Sequence, residues 1–277
     1  MTLNCKGPLI ALSTPKVMGI LNVTPDSFYD GGKYKNMEAL LGQVDQMLQA
    51  GATFIDLGAY SSRPRSEHIS ETEELSRIVP VVTLLLKEFP DILMSIDTFR
   101  AKVAKACLGE GAAMINDISA GHLDSEMLPT VAAFQVPYIM MHMRGTPQTM
   151  QQQTGYGNLV QEVLYYFSER IAAARTLGMK DLIIDPGFGF AKTLSQNYEL
   201  LGQLRLFHTF ELPLMVGVSR KSMIQKVIDT DAKDALNGTT ALHAYALTKG
   251  AQILRTHDVK EAIQCIKLMQ RLAPYND

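Results

Sequence analysis

Apolar residues gather into eight short runs along the chain: Val17–Val23, Thr53–Leu57, Ile92–Ile96, Ala113–Ile118, Pro137–Met141, Leu182–Ile184, Leu214–Val218 and Ile253–Leu254. Near-continuous apolar runs of this length suit parallel strands covered on both faces. The segments between them carry helical spacing instead. Met37, Leu40, Leu41, Val44, Met47 and Leu48 make one apolar stripe, and Val163, Phe167, Ile171 and Ala174 another. Asp124 and Ser195 stand where helix N-caps belong, and Gly51, Gly111, Gly178 and Gly250 where helices end. Strand and helix alternate eight times without a linker of Gly and Ser. That predicts an α/β fold, a (β/α)8 TIM barrel forming a single domain over 1–277. A doubly wound sheet stays open as the second arrangement, because alternation does not prove closure.

Each run stops in a polar residue: Asn22, Asp56, Asp97, Asn116 with Asp117, His142, Asp185, Ser219 to Lys221, and Arg255 with His257. In a barrel such ends converge on one rim, where the active site is built. Asp56 and Asp117 are as well suited to capping or bracing as to touching substrate. Two strand-to-helix connections, Thr24 to about Lys35 and Ala59 to about Ser70, are longer than the usual ~2–6 residues and read as loops that close over a site.

Net charge is -2 with the signs interspersed, so no basic face points to nucleic acid. No apolar stretch reaches the ~20 residues of a membrane span. The three cysteines, Cys5, Cys107 and Cys265, form no Cys-x-x-Cys pair, which argues against a disulfide scaffold or a zinc site and suits a reducing cytoplasm. His68, His122, His208 and His243 show no metal-ligand spacing. Gly187-Phe-Gly-Phe-Ala-Lys192 lacks the third glycine of a dinucleotide fingerprint, and Gly217-Val-Ser-Arg-Lys-Ser222 lacks the second glycine of a P-loop.

The ring divides by chemistry. Asp97, Asn116 and Asp185 offer acceptors and an amide suited to a heterocycle edge rich in N–H donors. Arg63, Arg255 and His257 offer the cationic donors that a phosphate or diphosphate requires. Asn22 is a neutral oxygen ligand suited to a hard ion that keeps its waters. Met141 would add an apolar wall. The expected substrate has a donor-rich ring and an anionic tail.

With those residues in place, the chain resembles a dihydropteroate synthase over nearly its whole length. The segments that carry the resemblance are Met18-Gly-Ile-Leu-Asn-Val-Thr-Pro-Asp-Ser-Phe28, Ser62-Arg-Pro64, Ser95-Ile-Asp-Thr98, Ile115-Asn-Asp117, Asp185-Pro-Gly-Phe-Gly-Phe190, Ser219-Arg-Lys-Ser222 and Arg255-Thr-His-Asp258. The resemblance implies a barrel enzyme that joins 6-hydroxymethyl-7,8-dihydropterin diphosphate to 4-aminobenzoate, giving 7,8-dihydropteroate and diphosphate in folate synthesis. It also implies Mg²⁺, a homodimer and inhibition by sulfonamides. By motif, Asp97, Asn116, Asp185 and Lys221 would hold the pterin, with Met141 and Phe190 lining its pocket. Asn22 would bind the metal. Ser62, Arg63, Arg255 and His257 would hold the diphosphate, and Phe28, Arg63, Pro64 and Ser219 would shape the aminobenzoate site. The second long loop reads Ser-Ser62-Arg63-Pro64-Arg65 where the family commonly has Ser-Thr-Arg-Pro-Gly. The competing readings are a pterin-dependent methyltransferase, an aldolase using Lys221 as a Schiff base, and an inactive pterin-binding paralogue.

Overall fold

All eight apolar runs are strands in the computed structural model, which describes residues 1–23, 33–60 and 68–272. They are β3 (Lys16–Asn22), β4 (Phe54–Gly58), β5 (Met94–Asp97), β6 (Met114–Asp117), β7 (Tyr138–Met141), β8 (Leu182–Asp185), β9 (Met215–Val216) and β10 (Ile253–Thr256). Before them lies an antiparallel hairpin, β1 (Thr2–Asn4) and β2 (Leu9–Ala11), that the apolar pattern does not announce. The described helices are α1 (Lys33–Gln49), α2 (Glu71–Glu88), α3 (Ala101–Glu110), α4 (Met127–Phe134), α5 (Leu159–Thr176), α6 (Leu194–Gly202), α7 (Ser222–Ile228), α8 (Leu236–Thr248) and α9 (Val259–Leu272).

The eight strands pair in the order β8-β7-β6-β5-β4-β3-β10-β9, and a parallel bridge between Ile184 and Leu214 returns β8 to β9. Across that seam the Ile184 N–H donates to Pro213 O at 3.0 Å. The sheet is therefore a closed barrel, and the doubly wound alternative, which keeps open edges, is excluded.

Strand parity then sorts the side chains. Val17, Leu21, Ile55, Leu57, Ile96, Ile115, Tyr138, Ile184, Val218 and Leu254 face outward into the buried layer shared with the helices. Gly19 shows how tightly that layer is packed: a Cβ there would stand 2.9 Å from Met47 Sδ on α1 and 3.1 Å from Val259 Cγ2 on α9. Met18, Phe54, Met114, Ile139, Ile183, Met215 and Ile253 face inward and fill the barrel's lower half, where Leu3, Cys5 and Leu12 of the hairpin segment close it.

The helices follow their predicted stripes. Val163, Phe167, Ile171 and Ala174 of α5 are buried, as are Leu40, Val44 and Met47 of α1. Two cap assignments change. Thr193, not Ser195, caps α6, because Gln196 three residues on completes a reciprocal capping box with it. Asp124 caps across the fold: its carboxylate accepts from the Ala101 N–H of α3 at 2.7 Å, as well as from Glu126 N–H at 3.0 Å. Among the described residues no helix is long and apolar enough to cross a membrane. All three thiols are buried and unpaired.

Candidate active site

The inward parity that fills the lower barrel with apolar side chains brings Asn22, Asp56, Asp97, Asn116, Asp185 and Arg255 together at the strands' C-terminal ends. They surround a cavity of about 1180 Å³, lined among others by Asn22, Asp97, Phe190, Ser219, Lys221, Arg255 and His257. Asn116 and Asp185 are buried at the same strand ends and are not among the residues that line it. Met141 packs beside it in a small apolar cluster with Ile118, Ala191 and Phe190. Phe28, Ser62, Arg63 and Pro64, like Arg65, lie outside the described residues. Gly217 on the cavity wall sits between two functional groups: a Cβ there would be in ordinary contact, 3.8 Å, with both an Asp185 carboxylate oxygen and Arg255 Cβ.

Arg255 is the hub. Its Nε donates to Asp56 Oδ2 at 2.6 Å and its terminal nitrogen to Asp97 Oδ2 at 2.8 Å. Burial opposes the guanidinium charge, but the facing carboxylates of Asp56 and Asp97 outweigh it and hold Arg255 firmly protonated. Asp56 Oδ2 also accepts from Asn116 Nδ2 at 3.0 Å, while Asp56 Oδ1 has no hydrogen-bond partner among the described residues. Asp56 is thus a brace that ties the amide of one chemical half to the guanidinium of the other. The pKa of Asp97 is raised too, which in a carboxyl favours the neutral form. Burial raises its carboxyl pKa most, Arg255 pulls it back down, and the neighbouring charge of Asp56 raises it again.

On the opposite wall, Asp185 Oδ1 accepts from Gly187 N–H at 2.8 Å, and burial raises the Asp185 pKa against the opposing pull of Lys221. Lys221 Nζ donates to Phe188 O at 2.5 Å and stands 5.0 Å above the Phe190 ring. Desolvation brings its pKa down to about 8, partly offset by Asp185. Ser219 Oγ accepts from His257 N–H at 3.2 Å and lies 3.2 Å from His257 Nδ1, so the ends of β9 and β10 present a hydroxyl and an imidazole side by side. Between those two strand ends, Arg220 lines the cavity and makes a paired contact with Asp258, at 2.8 and 2.7 Å. It braces the two loops.

Parity also settles the remaining strand ends. Asp117 follows Ile115 outward, where it accepts from Ser119 N–H, Gly121 N–H and Tyr138 Oη at 2.8, 2.7 and 2.6 Å. It shapes the loop after β6 and does not reach the cavity. His142, one residue past Met141, also leaves the ring; it is buried against Tyr166 with ring centroids 4.8 Å apart. Gln148 and Lys192 are among the cavity-lining residues given no role from the sequence. Gln148 donates to Tyr60 Oη at 2.8 Å, joining the β7–α5 connection to the end of β4. Lys192 is 4% exposed, and its sequence signal is a lysine closing an otherwise apolar Gly-Phe-Gly-Phe-Ala run. Among the described residues no group of three or more His, Cys, Asp or Glu could hold a metal.

Comparison with known proteins agrees with this geometry. Residues 18–257 match the model of the pterin binding enzyme family. The dihydropteroate synthase of Synechocystis sp. is 46% identical over 259 residues, covering 92% of this chain and 89% of that protein. The Yersinia pestis dihydropteroate synthase with a sulfonamide drug complex superposes with a TM-score of 0.92 at 41% identity, covering 99% and 100% of the two chains. The Xanthomonas albilineans enzyme with 4-aminobenzoic acid gives 0.90 at 36% identity, covering 98% of each. Barrel, cavity and likeness converge: the chain belongs to the pterin-binding enzymes and, among them, to the dihydropteroate synthases.

Proposed function

We propose that this cavity joins the methylene carbon of 6-hydroxymethyl-7,8-dihydropterin diphosphate to the amine of 4-aminobenzoate, releasing diphosphate. The observation that carries the reading is the Asp97–Arg255 contact at 2.8 Å, which joins a carboxylate half of the site to a cationic half. Each group serves as the other's counter-charge in the free cavity. A substrate with N–H donors at one end and a diphosphate at the other can replace both partners at once, the ring taking Asp97 and the diphosphate taking Arg255. Neither buried charge is then left alone, which would cost several kcal/mol. Asp185, Asn116 and Lys221 complete the ring's polar partners, with Met141 and Phe190 as its apolar walls. Ser219 and His257 stand with Arg255 on the diphosphate side. A pterin-dependent methyltransferase would need the first set and have no use for the second.

The step follows as a dissociative substitution. The carbon–oxygen bond breaks with its electron pair leaving on the diphosphate, whose growing charge Arg255 and His257 stabilise. The carboxylates of Asp97 and Asp185 favour the positive charge spread over the pterin. The amine's lone pair then forms the carbon–nitrogen bond, and the nitrogen releases a proton to solvent. Positioning replaces a dedicated base, since a cation demands little of its nucleophile.

Asn22 fits a Mg²⁺ ion: it offers a neutral oxygen on an exposed side chain that lines the cavity, and among the described residues no carboxylate cage surrounds it, as suits an ion that retains water and is shared with substrate phosphates. When bound, the ion would supply charge neutralisation to the diphosphate. Sulfonamides would compete with 4-aminobenzoate, a reading supported by the Yersinia pestis relative with its sulfonamide drug complex. Positional isotope exchange tests the mechanism. Without 4-aminobenzoate, labelled bridging oxygen should scramble into the nonbridging positions of the substrate; its complete retention would contradict a cationic intermediate.

A further inference from the structure

Lys192 takes no part in the ring, yet its surroundings are built around it. Its ammonium donates to Gly187 O, Phe190 O and His142 Nδ1, each at 3.0 Å. An ammonium in so buried a place persists only with all three N–H groups used, and here all are. The acceptors belong to two segments: the end of β7 and the turn that follows β8. That turn has a single fit against β7. Gly187 has φ +74°, and a Cβ there would stand 2.1 Å from His142 O. The same turn presents three groups to the cavity. Gly187 N–H fixes Asp185 Oδ1, Phe188 O receives Lys221, and the Phe190 ring lies 5.0 Å from the Lys221 ammonium.

We propose that Lys192 is a positioning residue for the pterin, its ammonium holding the 187–190 turn in the shape that aligns Asp185, Lys221 and Phe190 around the ring. The inference rests on the pterin-binding reading of the cavity. Both geometry and charge bear on it. Asp185 on β8 is the anion facing Lys192, while Lys221 after β9 and Arg144 after β7 are the facing cations. Burial lowers Lys192 to about 7, with Asp185 opposing the fall. His142 is kept neutral by its own burial, then by the charge of Lys192 and of Arg144, and so remains an acceptor.

Lys192→Met tests this, because it keeps the length of the side chain and removes every donor. Calorimetry with 6-hydroxymethylpterin and, separately, with inorganic diphosphate reads the two halves of the site. The variant should bind the pterin about tenfold or more weakly, the scale of one lost charge-assisted hydrogen bond. Its diphosphate affinity should stay within about twofold of the wild-type value. Unchanged pterin affinity, or equal loss of both ligands, would overturn the proposal in favour of a lysine that only stabilises the fold. If wild-type protein does not bind the pterin, the reading of the cavity fails and the proposal with it. Should Lys192→Met not fold, Lys192→Arg is read in the same way. It keeps the charge, but a planar fork cannot meet three converging acceptors, so wild-type pterin affinity in that variant would equally overturn the proposal.

Discussion

Asp56 shows what a single carboxylate does when it is placed between two chemistries. It is completely buried, accepts from both Arg255 and Asn116, and holds each in a fixed direction. Asp56→Asn keeps the shape and removes the charge. One counter-ion of the half-buried Arg255 is then lost, and stability should fall by up to ~3–5 kcal/mol, the cost of breaking a fully buried pair from one side. Urea unfolding measures this, and a change below about 1 kcal/mol would show that Asp97 alone suffices for Arg255. The same variant should lower the Asp97 pKa, because the charge of Asp56 helps to raise it. In the sequence Asp56 was visible as a strand end, but its role was not. Bracing or binding depends on whether the carboxylate reaches a guanidinium from β10, some two hundred residues away in the chain, and local pattern is blind to that.

At the scale of elements, near-continuous apolar runs carried most of the information. The apolar runs located every barrel strand, and parity within each run separates Asp97 and Asp185, which face inward, from Asp117 and His142, which face the helices. The β1–β2 hairpin escaped because its strands are three residues each and alternate across a turn with no long apolar run. Its function is packing. Leu3, Cys5 and Leu12 cover the barrel's lower end against Met18, Phe54 and Met215. Leu3 is 1% exposed, and Leu3→Ala should cost ~2–5 kcal/mol by leaving a cavity there. Turnover at a temperature where the variant remains folded should hardly change, since the cavity lies at the opposite end. A large loss of turnover in folded protein would show that the plug communicates with the site. The cap assigned to Ser195 failed for a local reason: Thr193 has Gln196 at the spacing that completes a capping box, and Ser195 has no such partner.

For the whole molecule, burying two lysine ammoniums beside the site has a thermodynamic signature. Lys192 and Lys221 have folded pKa values of about 7 and about 8, both below the ordinary 10.5. Over that span the unfolded chain binds more protons than the folded one, so unfolding free energy should rise with pH. The buried thiols of Cys5 and Cys107, pushed up to about 12, act in the reverse sense above their ordinary 9.0. The window is therefore between about pH 7.5 and 9, above the Asp97 carboxyl at about 7 and below the ordinary thiol value. Urea midpoints should increase across it, and a decrease would mean that the two ammoniums are better hydrated than their surroundings imply.

Barrel closure brings a carboxylate half and a cationic half into one cavity, and that pairing leads to a single decisive observation. Purified protein is given 6-hydroxymethyl-7,8-dihydropterin diphosphate, and released diphosphate is followed with and without 4-aminobenzoate and Mg²⁺. Sustained release, matched one to one by 7,8-dihydropteroate, is expected only when all three are present. Release that ignores 4-aminobenzoate, or none with all three, would contradict that reading of the cavity.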